Sequence, residues 1–448
     1  MHQPFQDATV YHIYPLGHLG APERNDFSSE PTPRLEELHD WLPHLNDLDA
    51  NALYLGPLFE SSAHGYDTAD YYHVDRRLGT NETLQNLSKD LREHGIRLVL
   101  DAVFNHVGRG FWAFKDVLEH GENSQYKDWF HLDFSASSPQ GDPFGYEGWS
   151  GNYDLVKLNL QHPDVRKHLF DAVAAWVRDF GISGLRLDAA DVMNKGFLRE
   201  LAQFCKTLKP DFWLMGEVVH GDYAEWVNSD MLDSATNYEL YKGLWSSHVD
   251  KNYFELAHSL KRQFGEGGIY EGLNLYTFAD NHDVNRVASS LTEAAHLYPL
   301  YMLLFTVPGV PSIYAGSEWG ISGERTDTSD DALRPRLELE KAKANAPHPD
   351  LVDLIAQMTR LRHTSPALQE GNYRELLVDH EQLAFLRENA EEKVAVIVNA
   401  ADEEVTLDLN LPASSAHDRL NGDEHFEIHE GQISIPVSPR WARVLRLS

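Results

Sequence analysis

The stretch ISGLRLD at 182–188 decides the fold. Its period of two puts Gly184, Arg186 and Asp188 on one face and Leu185 and Leu187 on the other, as in a strand whose two sides do different work. Before it, DVRKHLFDAVAAWVRDFG (164–181) repeats apolar residues at three- and four-residue spacing and ends on a glycine suited to a helix C-terminus. After it, KGFLRELAQFCKTL (195–208) shows the same helical period. A short strand between two amphipathic helices is one unit of a helix-covered parallel sheet.

Working outward, seven more short apolar or β-branched runs recur: 8–15, 51–57, 96–104, 211–217, 231–237, 273–280 and 311–316. Helical patterns at 35–48 and 83–95 fill two of the gaps, the second closing at Gly95. Eight strands alternating with helices predict an α/β chain closed into a (β/α)8 TIM barrel, in two parts at 1–107 and 158–369. Between them, 108–157 is rich in glycine, serine and aromatics and poor in helical period, and reads as a small inserted domain. From about 370 the pattern changes to alternating strands such as KVAVIVNA and RWARVLRL, predicting a C-terminal antiparallel β-sandwich over 370–448.

With 42% hydrophobic and 24% charged residues, the 448-residue chain has ordinary globular composition. Its formal charge of −32 opposes nucleic acid and anionic membranes but leaves a neutral ligand such as a sugar unaffected. The stretch Leu297 to Ile313 is broken by Pro299, Pro308 and Pro311, so it reads as a buried helix and strand, not a membrane span. The start lacks a basic segment followed by an apolar one, and the only cysteine is Cys205, so a cytoplasmic protein is expected.

Barrel chemistry gathers where strands end. The fourth strand closes on Asp188, with Arg186 two residues back on the same face; a neighbouring guanidinium favours an ionised carboxylate, as a nucleophile requires. The fifth, DFWLMGE, closes on Glu217 behind Trp213 and Met215, an apolar setting that raises a carboxyl pKa and suits a general acid. The third closes in DAVFNHVG with Asp101, Asn105 and His106, and the seventh in FADNHD with Asp280, Asn281, His282 and Asp283. Any one of these taken alone is as well explained by a buried ion pair, a helix cap or a satisfied core histidine.

Taken in order, the blocks resemble the motifs of the α-amylase superfamily of glycoside hydrolases (glycoside hydrolase family 13). They are HGYDTADY (64–71), DAVFNHVG (101–108), LVKLN (155–159), GLRLDAADV (184–192), FWLMGEVV (212–219), FADNHD (278–283) and PGVPSIYAGSEWG (308–320). LVKLN and YDTADY look most like the neopullulanase and cyclomaltodextrinase branch, although no N-terminal β-domain precedes the first strand here. The resemblance implies Asp188 as nucleophile, Glu217 as acid/base and Asp283 as transition-state stabiliser. It also implies substrate contacts from Tyr66, Asp67, His106, Arg186, Asn281 and His282, with Asp101 as a brace. The insertion would be the family's domain B, most of its aromatics forming its own core.

The implied activity is retaining hydrolysis of α-1,4-linked maltooligosaccharides, extending to α-1,6-linked, cyclic or branched ones, through a covalent glycosyl-enzyme. Two alternatives stand beside it: an α-glucanotransferase using the same residues, and a non-catalytic sugar-binding protein. Asp191 and Val192 stand where many α-amylases have Lys and His, so linkage, substrate length and endo or exo mode stay open, as does oligomeric state. Asn105 matches a calcium ligand of many α-amylases, but Val192 stands in place of the accompanying His, so calcium stays open without being predicted, and no cofactor is required.

Overall fold

The computed structural model describes residues 5–448. Eight parallel strands form the barrel: β1 (Val10–Ile13), β2 (Ala52–Leu55), β3 (Arg97–Ala102), β4 (Gly184–Leu187), β5 (Trp213–Gly216), β6 (Ser234–Ala235), β7 (Tyr276–Phe278) and β8 (Val310–Tyr314). The hydrogen-bonded order is β6-β5-β4-β3-β2-β1-β8-β7, and a parallel bridge between Thr236 and Tyr276 closes the ring. Among the described residues, no helix is long and apolar enough to cross a membrane.

The two-residue period sorts each strand into two cores. Leu53, Leu55, Leu98, Leu100, Leu185, Leu187 and Leu214 face outward, into the large core shared with the helices. Val10, Tyr54, Val99, Trp213, Met215, Tyr276 and Phe278 face inward and fill the barrel. Phe5 plugs its lower end, stacked on Trp213 at 4.6 Å with the Arg97 guanidinium over its ring at 4.3 Å. Gly184 is required where β4 meets β5, since a Cβ there would lie 2.7 Å from the Trp213 carbonyl oxygen.

The covering helices include α1 (Asn81–Glu93), α2 (Pro163–Phe180), α3 (Lys195–Leu208), α4 (Tyr238–Val249), α5 (Tyr253–Phe264), α6 (Leu297–Thr306) and α7 (Leu351–His363). Local chemistry sets their ends. Thr80 and Thr83 form a reciprocal cap at α1, Asn194 accepts from the Phe197 N–H at α3, and Gly181 ends α2 in the left-handed region at φ 62°. Two elements differ from their sequence reading. The stretch 35–48 is a 3-10 helix, Arg34–Trp41, followed by a short α-helix, Leu42–Asp47, because Pro43 has no N–H to carry an α ladder across the joint. β6 is only two residues long, because the Asp233 carboxylate takes the Leu214 N–H at 2.8 Å in place of a longer ladder.

Residues 106–157 build a small excursion over the rim. His106–Gly108 and Gly148–Trp149 pair with Asn152–Lys157, around the helix Trp112–His120. Phe111, Trp129, Phe130, Phe144 and Tyr146 are its buried core. The C-terminal region has strands β9 (Asn372–Val378), β10 (Gln382–Glu388), β11 (Lys393–Asn399), β12 (Val405–Asn410), β13 (Ser415–Asp418), β14 (Glu424–Glu427), β15 (Gln432–Val437) and β16 (Trp441–Leu447). The sheet β9-β10-β11-β16-β13-β14 and the ribbon β12-β15 enclose a separate apolar cluster that includes Leu386, Ile397, Leu409 and Ile435.

Candidate active site

The inward parity of three neighbouring strands delivers the chemistry. Val99 and Asp101 on β3, Gly184, Arg186 and Asp188 along β4, and Trp213, Met215 and Glu217 along β5 all point into the barrel, with Asp101 and Met215 flanking Arg186 in register. Arg186 is thereby buried among three carboxylates. Its Nη1 donates to Asp188 Oδ1 at 2.8 Å and to Asp101 Oδ1 at 3.1 Å, while its Nη2 lies 2.9 Å from Glu217 Oε1. One guanidinium thus braces both carboxyls singled out in the sequence. Asp101 sits behind it and accepts from the hydroxyls of Tyr54 (2.7 Å) and Tyr66 (3.1 Å).

Ala189 follows Asp188 in the left-handed region at φ 50°, an unfavourable place for a residue with a side chain. That turn aims its N–H at Glu217 Oε2, 3.0 Å away. The strained residue therefore ties the rim of β4 to that of β5.

Electrostatics separate the three rim carboxylates. Burial pushes Glu217 up, as its apolar strand suggests, with Asp283 adding repulsion against the pull of Arg186. Burial also pushes Asp188 up, and the adjacent Glu217 adds to it. Arg186 pulls Asp188 the other way, as its place on the same face suggests, but burial outweighs the guanidinium. The pair therefore retains a proton above the ordinary carboxylate range. Asp283 goes the other way. Burial opposes its charge, but His282 Nε2 at 2.9 Å and Arg334 Nη2 at 2.8 Å outweigh burial and hold it well below that range.

These rims surround a cavity of about 810 Å³ lined by Tyr66, His106, Asp188, Glu217 and Asp283, together with Trp149 of the excursion. Burial lowers His106 to about 3, so its ring is neutral; its Nε2 lies 3.7 Å from Asp188 Oδ2 with no hydrogen-bond partner. A sugar hydroxyl there would meet an unsatisfied imidazole nitrogen.

Four other residues singled out in the sequence stand behind the cavity wall instead of lining it. Arg186 is the brace already described. His282 Nε2 meets Asp283 and the Tyr66 hydroxyl, Asn281 accepts the Asp283 N–H at 2.8 Å and donates to Tyr238 Oη at 3.2 Å, and Asp67 accepts the Gly65 N–H at 3.2 Å.

Other contributors went unmarked in the sequence. The loop after β8 brings Arg325, Asp330, Asp331 and Arg334 to the cavity, and Arg334 also donates to the His282 carbonyl at 2.9 Å and lies over the Tyr14 ring. Asp191 does not reach the cavity; its Oδ2 accepts the Val219 N–H at 3.3 Å. Val219, two residues past Glu217 and 38% exposed, lines the wall, while Val192 at 54% exposed stands outside it.

Asn105 turns its amide nitrogen to His106 Nδ1 at 3.2 Å, and position 192 is a valine without a donor atom. Among the described residues, no group of three or more His, Cys, Asp or Glu gathers in metal-holding geometry.

Residues 29–348 match the family described as alpha amylase, catalytic domain, and 373–443 match maltogenic amylase, C-terminal domain. The chain belongs to the alpha-amylase family of glycoside hydrolases. Within that family, a cyclomaltodextrinase from a Bacillus species is 34% identical over 422 residues, covering 88% of this chain and 73% of its own. Neopullulanase 2 of Thermoactinomyces vulgaris is 31% identical over 466 residues, covering 98% and 77%. Among solved structures, cyclic alpha-maltosyl-(1→6)-maltose hydrolase from Arthrobacter globiformis, in complex with cyclic alpha-maltosyl-(1→6)-maltose, matches with a TM-score of 0.82 at 29% identity over the full length of both chains. The eight-stranded barrel and the C-terminal antiparallel sheets are thus the alpha-amylase family architecture.

Proposed function

We propose that this enzyme hydrolyses α-1,4-linked maltooligosaccharides with retention, and accepts cyclic and α-1,6-containing oligosaccharides as well. The observation that carries the reading is the sharing of one guanidinium by Asp188 and Glu217 on adjacent strands, facing one cavity. Such bracing suits the separation of about 5–5.5 Å used by retaining pairs better than the wider gap that admits a water between inverting ones. Wider substrate range is supported by the two relatives, named for a cyclic maltodextrin and for pullulan, and by the structural neighbour, named for a cyclic (1→6)-linked maltosyl-maltose.

In this mechanism an Asp188 oxygen attacks the anomeric carbon while Glu217 gives its proton to the departing glycosidic oxygen. Ionised Asp283 stabilises the positive charge on the sugar ring. Water then enters, gives its proton to Glu217 and releases the sugar from Asp188 with its α configuration restored. His106 holds a hydroxyl of the reacting sugar, and Tyr66 lies under its ring. No metal or cofactor enters any step. With one cysteine in the chain, no oxidising compartment is needed, and the cytoplasm is the proposed location.

Incubation with maltotriose, a cyclic dextrin and pullulan, followed by chromatography, is expected to release glucose, maltose or panose from at least one. Failure on all three overturns the substrate class. Products longer than maltotriose, formed faster than reducing ends appear, would instead make the enzyme a glucanotransferase.

Arg334→Ala gives a pH test. Asp283 is depressed by His282 and Arg334, so removing Arg334 raises its pKa and protonation begins at higher pH. The expected outcome is a fall of about a hundredfold in kcat at neutral pH, with the acidic limb of the profile steepened as Asp283 begins to titrate beside Asp188. An unchanged acidic limb would separate Asp283 from that limb.

A further inference from the structure

The active site occupies the C-terminal ends of the barrel strands; a second cavity, of about 220 Å³, lies beyond their N-terminal ends, between the barrel floor and the C-terminal sheets. Two arginines lie buried at this seam, Arg387 on β10 and Arg362 on α7. Every hydrogen bond that their guanidinium groups make among the described residues ends on a backbone carbonyl. Arg387 donates to Thr306 and Gly371, and Arg362 to Phe305, Leu368 and Gly309. Carbonyls satisfy hydrogens without neutralising charge, and the end of α6 contributes about half a negative unit against two positive ones. Burial accordingly lowers Arg362 to about 9, and it pushes Arg387 down as well, with the charge of Arg362 adding to the effect.

Beside Arg387, the cavity wall carries two more polar groups. Tyr373 Oη and Asn274 Nδ2 are buried and have no hydrogen-bond partner, although Tyr373 is only 2% exposed and Asn274 8%. A hydroxyl and an amide with unused donors thus share one small cavity with a guanidinium that makes no ion pair among the described residues. Glu370 and Glu271 also border the cavity: Glu370 accepts from Gln6 (2.9 Å), itself on the wall, and from Asn389 (3.3 Å), and Glu271 accepts the Gly267 N–H (2.8 Å). Their charge disfavours a dianion. We propose that this seam is a binding site for a small monovalent inorganic anion of the chloride or nitrate class, held by Tyr373, Asn274 and Arg387. Such an ion would join the barrel, through Asn274, to the C-terminal sheets, through Tyr373 and Arg387.

The test is thermal unfolding of the whole chain in mixtures of sodium chloride and sodium gluconate at fixed ionic strength, which keeps general screening constant. A saturable rise of about 2–4 °C in the unfolding midpoint with chloride is expected. Tyr373→Phe keeps the ring and removes the donor; it should raise the half-saturating chloride concentration about tenfold, with Asn274→Ala acting in the same direction. In bromide-soaked crystals an anomalous peak is expected beside Tyr373 Oη. Equal midpoints in chloride and gluconate overturn the proposal. So does a Tyr373→Phe variant whose midpoint drops equally at every chloride concentration, and a sulfate response as strong as that to chloride overturns the monovalent assignment.

Discussion

Asp188→Asn should abolish turnover of maltooligosaccharides, with a fall in kcat of about four to six orders of magnitude, while leaving the protein folded. The amide matches the carboxylate in size but cannot form the ester to the anomeric carbon, so no glycosyl-enzyme accumulates. Arg186 would still bond to Asp101 and Glu217, so the variant leaves no unpaired guanidinium in the barrel. Circular dichroism and the unfolding midpoint, measured with the rate, separate lost chemistry from lost structure. A residual rate above about one per cent would remove Asp188 from the nucleophile's role. It would equally revive the sugar-binding alternative if the wild type proved as slow as the variant.

Glu217→Ala separates the two halves of the reaction. Loss of the proton donor should cost about three to four orders of magnitude on maltotriose, whose leaving group is a poor one. A 2,4-dinitrophenyl α-glycoside leaves without protonation, so its first step should survive and the glycosyl-enzyme on Asp188 should build up as a burst. Azide fits the space the carboxyl vacates and needs no general base. Its addition should therefore restore steady turnover and yield an α-glycosyl azide. If the same variant is equally slow on both substrates, Glu217 holds the site together without transferring a proton. The raised Glu217 pKa gives a sign to check in the wild type: activity requires the protonated acid, so the basic limb should fall above the ordinary carboxylate range.

Much of this was legible in the sequence because a barrel strand has a strict parity. Once ISGLRLD is read as a strand, Arg186 and Asp188 must share a face, and the same parity carries Asp101 and Glu217 to it. All eight runs became barrel strands for that reason. The readings that missed are those where a side chain or a proline replaces regular hydrogen bonding, as Asp233 does beside β6 and Pro43 does in the first covering segment. Arg334 was invisible because it lies on an irregular loop with no period to give its direction; only the rule that every strand's C-terminal loop reaches the site could have flagged it. The net direction of the Asp188 shift was also beyond sequence spacing, since it depends on how completely the pair is buried.

The short β6 has a consequence for the temperatures at which the enzyme can work. Glu217 hangs from β5 and Asp283 from β7, and between them the ring is closed by a two-residue strand, the Thr236–Tyr276 bridge and the Asn237 N–H to the Tyr276 carbonyl at 2.9 Å. That junction holds fewer hydrogen bonds than the joints between β1, β2, β3, β4 and β5. Warming would loosen it first and let the proton donor drift from the stabilising carboxylate while the rest of the barrel stays intact. Heat inactivation would then be a local, reversible event that precedes denaturation, and thermal tolerance would be gained by reinforcing one seam more than by strengthening the whole core.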